Sequence, residues 1–268
     1  MSSNQVFVAF DVETTGLLPG VDRLVELAAV SFTTEAVLDS YCCLVNPGIP
    51  IPEAAGRVNG ITDDMVRDAP RIDSVLPEFL TFLGRGVPVA HNAVFDVGFV
   101  GADIETLGLP GPGVLVLDTR GLARKAFPGR SSYSLTNLVR DFGFRVDGAH
   151  RALADAHACR LLFLHCLPRI GQDLSAEELA ARSGPRLDLG SHALPMVRTA
   201  ILLQSALADG ALVDITYHGA KGEITDRRIR PLSFTTISGS NAIVAYCMLR
   251  KDRRSFHLAA IEAARRVP

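Results

Sequence analysis

The chain has no run of about 18 consecutive apolar residues, so nothing in it reads as a membrane span. Its opening, MSSNQ, lacks a basic region followed by an apolar stretch and is not expected to be a signal peptide. The five cysteines (Cys42, Cys43, Cys159, Cys166 and Cys247) form no CxxC pair and no even framework. They are expected to be buried, reduced thiols in a cytoplasmic protein. No GxGxxG follows the first strand, which disfavours a dinucleotide-binding enzyme. There is no internal repeat and no low-complexity segment. The net charge is only −2, so bulk electrostatics do not announce a nucleic-acid partner.

What is present describes a folded protein. Hydrophobic residues make up 48% and charged residues 21%, outside the disordered range. A length of 268 residues accommodates one large domain or two smaller ones. The charge is unevenly placed. From Ala211 to Pro268 ten Lys and Arg face five acids, so this tail carries +5 and the rest of the chain −7. Such asymmetry points to two units with different jobs.

Gln5 to Gly16, QVFVAFDVETTG, is the stretch around which the chain is organised. The apolar run Val6 to Phe10 predicts a strand covered on both faces. Alternate strand residues share a face, so Asp11 and Glu13 point the same way. Their mutual repulsion eases if a cation sits between them, and hard oxygen ligands suit Mg²⁺ or Mn²⁺. Equally, two such acids can be a solvated turn at a strand end.

Arg23 to Thr33 and Ala36 to Val45 predict two further strands, an antiparallel meander with the first. Asn59-Gly60 predicts a turn and Thr62 a helix N-cap. Helices are expected over Ile72 to Leu83, Val94 to Leu107, Ser134 to Phe142 and Ala152 to Leu167, with strands at Val87 to His91 and Val114 to Asp118. Strands first, then alternating strand and helix, argue an α/β fold with a mixed sheet flanked by helices. Pro168, Gly171, Gly184 and Pro185 flank a short helical stretch, read as a linker over 169–190. Leu194 to Ala208 has helical spacing. Short strands separated by turn signals then predict a small, mostly β barrel or sandwich.

Two more segments complete the chemistry. HNAVFD places Asp96 just inside the helix after the strand ending at His91, and HRALADA places His150 and Asp155 at the start of a long helix. Singly, Asp96 could complement a helix dipole and His150 could be a surface histidine. In combination, DxETTG, HNxxFD and HxxxxD in that order resemble the DEDDh exonucleases. That family includes the proofreading (epsilon, DnaQ-like) subunit of the bacterial replicative DNA polymerase. The resemblance covers roughly Val6 to Leu167, including the NGIT segment at Asn59 to Thr62. It implies an RNase H-like exonuclease domain over 1–168. It further implies that Asp11, Glu13, Asp96 and Asp155 bind two Mg²⁺ or Mn²⁺ ions and that His150 is the general base. The substrate implied is nucleic acid with a free 3′ end: single-stranded DNA, with RNA as an open alternative. Backbone amides around Thr14, Thr15 and Gly16 would meet the terminal nucleotide, Phe95 would pack on its base or sugar, and Asn59 would approach the same pocket. A core position is the competing reading of Phe95.

The tail, Val213 to Ile261, is similar to a WYL domain, a small Sm/SH3-like barrel, and assigns 191–268 to that module. The matching residues are Ile215 to Tyr217, Arg227 to Pro231, Val244 to Cys247, Arg254 and Phe256. The tripeptide naming the family falls at Asn241, Ala242 and Ile243, a departure that leaves the family's ligand role open here. Tyr217, Arg228, Arg230, Tyr246 and Arg254 are its candidate nucleic-acid or ligand-binding residues; a solvated basic face is the competing reading. A binding regulator built on an inactive exonuclease scaffold is the alternative for the whole chain. All five signature residues are present, which favours the enzyme. No protein partner is legible.

Overall fold

In the computed structural model, strand β1 (Phe7–Thr14) has Phe7, Val8, Ala9 and Phe10 fully buried. The structure describes residues 5–146, 151–171, 174–184, 186–189, 195–219, 222–237 and 240–267. The apolar run is buried on both faces because β1 is an inner strand. It pairs antiparallel with β2 (Leu24–Phe32), and β2 with β3 (Val37–Leu44), the expected meander. Helices α1 (Glu53–Asn59) and α2 (Asp63–Val66) follow. Gly60 ends α1 with a left-handed φ of 70°, and Thr62 is the N-cap residue of α2, so NGIT is the turn between them.

The alternating part comprises α3 (Ile72–Leu83), β4 (Val87–Ala90), α4 (Val94–Leu107), β5 (Val114–Asp118), α5 (Thr119–Ala126), α6 (Leu135–Phe142) and α7 (Ala152–Ile170). β4 runs parallel to β1 and β5 parallel to β4. The stretch read as a linker holds the expected short helix, α8 (Ala176–Ser183), and in addition a strand that was not expected, β6 (Leu187–Leu189). Ser175 and Glu178 form a capping box at the start of α8. β6 pairs antiparallel with β5, giving the order β3-β2-β1-β4-β5-β6. Gly171, Gly184 and Pro185 flank the helix, and burial of Leu179, Leu187 and Leu189 holds the stretch to the sheet and its helices.

The pleat of β1 splits its side chains between two cores. Val8, Phe10 and Val12 join Phe79 of α3 and Val97 of α4 on one face. Phe7 and Ala9 join Phe163 and Cys166 of α7 on the other, with the Phe7 and Phe163 rings 4.8 Å apart. Asp11 and Glu13 continue the second set, and therefore face α7.

The chain divides into two compact units, Met1–Gly16 with Arg23–His192, and Leu17–Asp22 with Ala193–Pro268. The second unit holds α9 (Pro195–Ala208), β7 (Val213–His218), β8 (Ile224–Ile237), β9 (Ser240–Cys247), β10 (Asp252–His257) and β11 (Ile261–Arg266). Its strands form one antiparallel sheet ordered β10-β9-β8-β7-β11. The expected small, mostly β module is there as five antiparallel strands, and no pairing that would close it between β10 and β11 occurs among the described residues. Leu203 and Ala206 of α9 pack on Val213, Ile229, Ile243 and Phe256, and Leu18 completes this core. The cysteines are all unpaired; Cys159, Cys166 and Cys247 are buried, whereas Cys42 is exposed and Cys43 half-buried on the outer strand β3. No described helix is long and apolar enough to cross a membrane.

Candidate active site

The alternation that buries Phe7 and Ala9 carries Asp11 and Glu13 to the α7 side of β1, at its carboxyl end. On α7, Asp155 stands one turn before Cys159, at the head of the stripe that buries Cys159, Leu162, Phe163 and Cys166. Packing α7 on the sheet through that stripe brings the three acids together. Carboxylate oxygens of Asp11, Glu13 and Asp155 all lie within 4.8 Å of one another. That spacing suits oxygen donors sharing a divalent cation, whose charge would offset their repulsion.

Asp96 arrives from the other side. The parallel pairing of β4 with β1, with Val89 opposite Ala9, sets the ends of both strands side by side. Asp96 then lies in the first turn of α4, 2% exposed, accepting a hydrogen bond from the Val12 amide at 3.1 Å. It is thus anchored beside Asp11. His150 lies outside the described residues.

Electrostatics mark the cluster. Burial, then the charges of Asp96, Asp155 and Glu13, push the Asp11 carboxyl well above the usual range. Glu13 is raised to about 8, chiefly by burial and then by Asp155 and Glu26, while Asn59 and Arg151 pull it down. Burial also raises Asp96, against hydrogen bonds that lower it. Such a set favours any ligand that brings positive charge, a proton or a metal ion.

The strand end is held more tightly than its sequence suggests. Thr15 is 2% exposed; its amide donates to the Arg23 carbonyl at 2.8 Å, and its hydroxyl accepts from the Arg23 amide at 2.9 Å. The Thr15 amide is therefore already paired. Thr14 donates its hydroxyl proton to the Gly16 carbonyl. Asn59 is buried; its side-chain amide donates to the Thr14 carbonyl at 3.3 Å and its oxygen accepts from the Ile61 amide at 3.0 Å. It braces the strand end, and its side chain also hydrogen-bonds the Glu13 carboxyl. Phe95 is half-buried against the core, its ring 4.9 Å from that of Phe99.

Two residues at the site escaped sequence reasoning. Glu26 on β2 is 1% exposed and accepts hydrogen bonds from the Arg151 guanidinium and, at 2.9 Å, from the Ala152 amide. Arg151 is the N-cap residue of α7 and has no side-chain cap of its own, so Glu26 supplies the missing acceptor. The signal was there: one acid inside LVELAAV, an otherwise apolar strand.

In the second unit, register sorts the candidate residues. Arg228 pairs with Asp214, and Arg230 with Tyr246, while the intervening Ile229 and Cys247 are buried. Arg228, Arg230 and Tyr246 thus share the face away from the core, joined by Arg253 opposite Tyr246. Tyr217 and Arg254 belong to the other face: Tyr217 packs edge-on against Phe256 at 5.1 Å, and Arg254 sits opposite buried Ala245. Asp214 holds Arg228 by two hydrogen bonds, of 2.7 and 2.9 Å.

The family model described as Exonuclease matches residues 8–163, and that of the WYL domain matches residues 199–266. The DNA polymerase III subunit epsilon of Treponema pallidum is 40% identical over 159 residues, covering 59% of this chain and 74% of that protein. A DNA polymerase III PolC-type protein of Caldanaerobacter subterraneus is 40% identical over 164 residues, 61% of this chain but 12% of its own length. Among solved structures, exonuclease X in complex with 5′-overhanging duplex DNA aligns with a TM-score of 0.54 at 29% identity, over 67% of this chain and 99% of that one. Escherichia coli exonuclease I with a deoxyadenosine oligonucleotide aligns at a TM-score of 0.56 over 91% of this chain and 55% of its own, and at 15% identity it is similar in fold alone.

Proposed function

The chain belongs to the exonuclease family, and from that membership we propose that it is a metal-dependent 3′→5′ exonuclease releasing mononucleotides from the 3′ end of DNA. The observation that carries this reading is the convergence of Asp11, Glu13 and Asp155 within 4.8 Å, with Asp96 anchored beside them. These four carboxylates would hold two Mg²⁺ or Mn²⁺ ions. When bound, such ions supply charge neutralisation at the scissile phosphate and lower the pKa of the attacking water.

The chain's own groups do the rest. Partial burial of Asp11, Glu13 and Asp155, with Asp96 buried beside them, lowers the local dielectric and strengthens their hold on cations. Asn59 and the Thr15–Arg23 pairing fix the strand end, so Glu13 is presented without reorganisation. His150 is the proposed base, its imidazole nitrogen taking the proton of the attacking water. Phe95, with one side against Phe99, offers its remaining surface to the terminal nucleotide. A cytoplasmic location accompanies this role.

The outer face of the second sheet, Arg228, Arg230, Tyr246 and Arg253, is read as a nucleic-acid surface. Its arginines would neutralise phosphates and Tyr246, 37% exposed, would stack on a base. Because Leu18 belongs to this unit's core, its test uses the full chain, made inert by Asp11→Asn. Arg230→Ala and Tyr246→Ala are expected to weaken binding of labelled single strands at low salt; unchanged affinity in both would remove the role.

The main test is matched digestion of 3′-labelled single- and double-stranded DNA and RNA with Mg²⁺ or Mn²⁺. Release of mononucleotides from the 3′ end of DNA, abolished by EDTA and by Asp11→Asn, is expected. Release at the parent's rate in Asp11→Asn would refute the assignment.

A further inference from the structure

Beside the acidic cluster, on the β5 side, lies a recess of about 500 Å³ whose polar rim is made of donors. We propose that Asn92, Arg120, Arg124, Ser131, Ser132 and Ser134 form a subsite for a backbone phosphate of the substrate strand, upstream of the bond that is cut. The inference rests on the exonuclease reading and extends it to residues outside the signature motifs.

The recess is placed by the sheet. β4 lies between β1 and β5, and Asp118 is paired with Ala90 at the shared carboxyl end. His91 and Asn92 leave β4 there, four residues before Asp96 begins its work on α4. Two strand spacings, about 10 Å, separate β1 from β5. A chain of phosphates leaving the cluster along the strand ends meets this rim next.

Its chemistry is one-sided. Asn92 takes a left-handed φ of 62°, a conformation that asparagine tolerates better than most residues. Two hydrogen bonds hold it there. The Asn92 amide donates to Asp118 Oδ1 at 2.9 Å, and Asn92 Oδ1 accepts from Arg120 Nη1 at 2.7 Å. The Asn92 side-chain oxygen is thereby turned to Arg120 and its NH₂ donors remain. Arg120 Nε is buried and unpartnered, and neither Arg120 nor Arg124 has an ion pair among the described residues. Arg124 lies 5.6 Å from the Tyr133 ring centre, which steadies it without neutralising it.

The serines lean the same way. Ser132 Oγ accepts from Asn137 Nδ2 at 2.9 Å and from the Ser134 amide at 3.3 Å. Ser134 Oγ accepts from the Asn137 amide as the N-cap of α6. Both lone pairs of Ser132 Oγ are engaged, so its proton is left to give, either to a ligand or to Ser134 Oγ at 3.3 Å, and in the second case the Ser134 proton is left for the ligand. His91 adds no charge: its ring nitrogens bond Thr119 Oγ1 and the Tyr133 carbonyl, each at 2.9 Å. No acid lines the recess. A base edge would demand acceptors as well as donors, whereas a phosphate accepts only.

The test compares two substrates of the full chain. A single-stranded oligonucleotide carries upstream phosphates; the p-nitrophenyl ester of thymidine 5′-monophosphate carries only the scissile one. In Arg124→Ala the ratio of kcat/KM for the oligonucleotide to that for the ester is expected to fall about tenfold, through KM. The slope of log KM against log salt should drop by about 0.7, one phosphate contact on a single strand. Ser132→Ala should shift the ratio in the same direction by less. Equal loss on both substrates, or an unchanged ratio and slope, would overturn the subsite. If added inorganic phosphate competes equally well in parent and Arg124→Ala, the recess takes no phosphate and the proposal also falls. A parent protein inactive on both substrates would instead refute the exonuclease reading on which this one stands.

Discussion

Glu13 and Glu26 are register partners across the β1–β2 ladder, two like carboxylates on one face of the sheet. Directly opposed residues have Cβ atoms about 5 Å apart, so their charges interact. Burial and its neighbours hold Glu13 up at about 8, with Glu26 among the contributors. Glu26 is instead clamped by Arg151 and by the first amide of α7. One carboxylate faces the cleft; its twin ties down the helix that delivers Asp155.

That division predicts how Glu26 variants behave. Glu26→Ala leaves the buried Ala152 amide without its acceptor and frees Arg151, a loss of about 2 kcal/mol. Glu26→Gln keeps an acceptor for Ala152 but turns a donor toward Arg151, and should recover part of it. Thermal denaturation measures the stability. Activity should fall in the same order, since Asp155 moves with the start of α7. Full activity in Glu26→Ala would show that the clamp does not position the cluster.

Metal binding and pH should be linked. Glu13 is an acid whose folded pKa, about 8, exceeds its ordinary 4.5. The folded state therefore holds more protons than the unfolded one between those values, and the metal-free protein loses stability as pH rises through that window. A divalent ion replaces the protons. At about 100 times its Kd it adds about 2.7 kcal/mol, raising Tm by roughly 5–10 °C, with the larger shift at the alkaline end. Asp11→Asn should flatten the slope and melt higher than the parent in EDTA, while activity drops on the order of 10³-fold. A metal-free Tm that is constant or rises across this window would contradict the repulsion described here.

His91 has the opposite sign. Burial lowers it from 6.5 to about 4, with its two ring nitrogens engaged by Thr119 and Tyr133. Its contribution to stability is complete above about 6.5 and is lost as pH falls toward 4. NMR titration should find the His91 ring neutral down to about pH 5. A midpoint near 6.5 would show the ring to be solvated.

Asn59 separates bracing from substrate contact. Asn59→Ala removes the partners of the Thr14 carbonyl and the Ile61 amide, at a cost of about 1–3 kcal/mol. Tm and kcat should fall together, with KM little changed. A raised KM with an unaltered Tm would mean that Asn59 meets the nucleotide instead.

Much of this protein was legible along the chain. α3 at Ile72–Leu83, α4 at Val94–Leu107 and β5 at Val114–Asp118 coincide with the expected spans, because apolar period and flanking turn residues are local signals. The shared face of Asp11 and Glu13 follows from strand alternation alone. So does the order of the three acidic motifs, which a sequence displays directly. In 169–190 the short helix was legible and became α8, but the three-residue β6 was not, because only its pairing with β5 and the burial of Leu187 and Leu189 make it a strand.

The sequence by itself determined which residues can ligate a cation and which strand and helices carry them, since both depend on neighbours a few positions apart. Tertiary structure alone decided what those residues touch. Glu26 finds Ala152 across 126 positions and Asn92 finds Arg120 across 28. Strand register, not composition, parts Arg228, Arg230 and Tyr246 from Tyr217 and Arg254. Such pairings arise when distant segments bury apolar faces together, and no local pattern encodes which polar groups that burial will bring into contact.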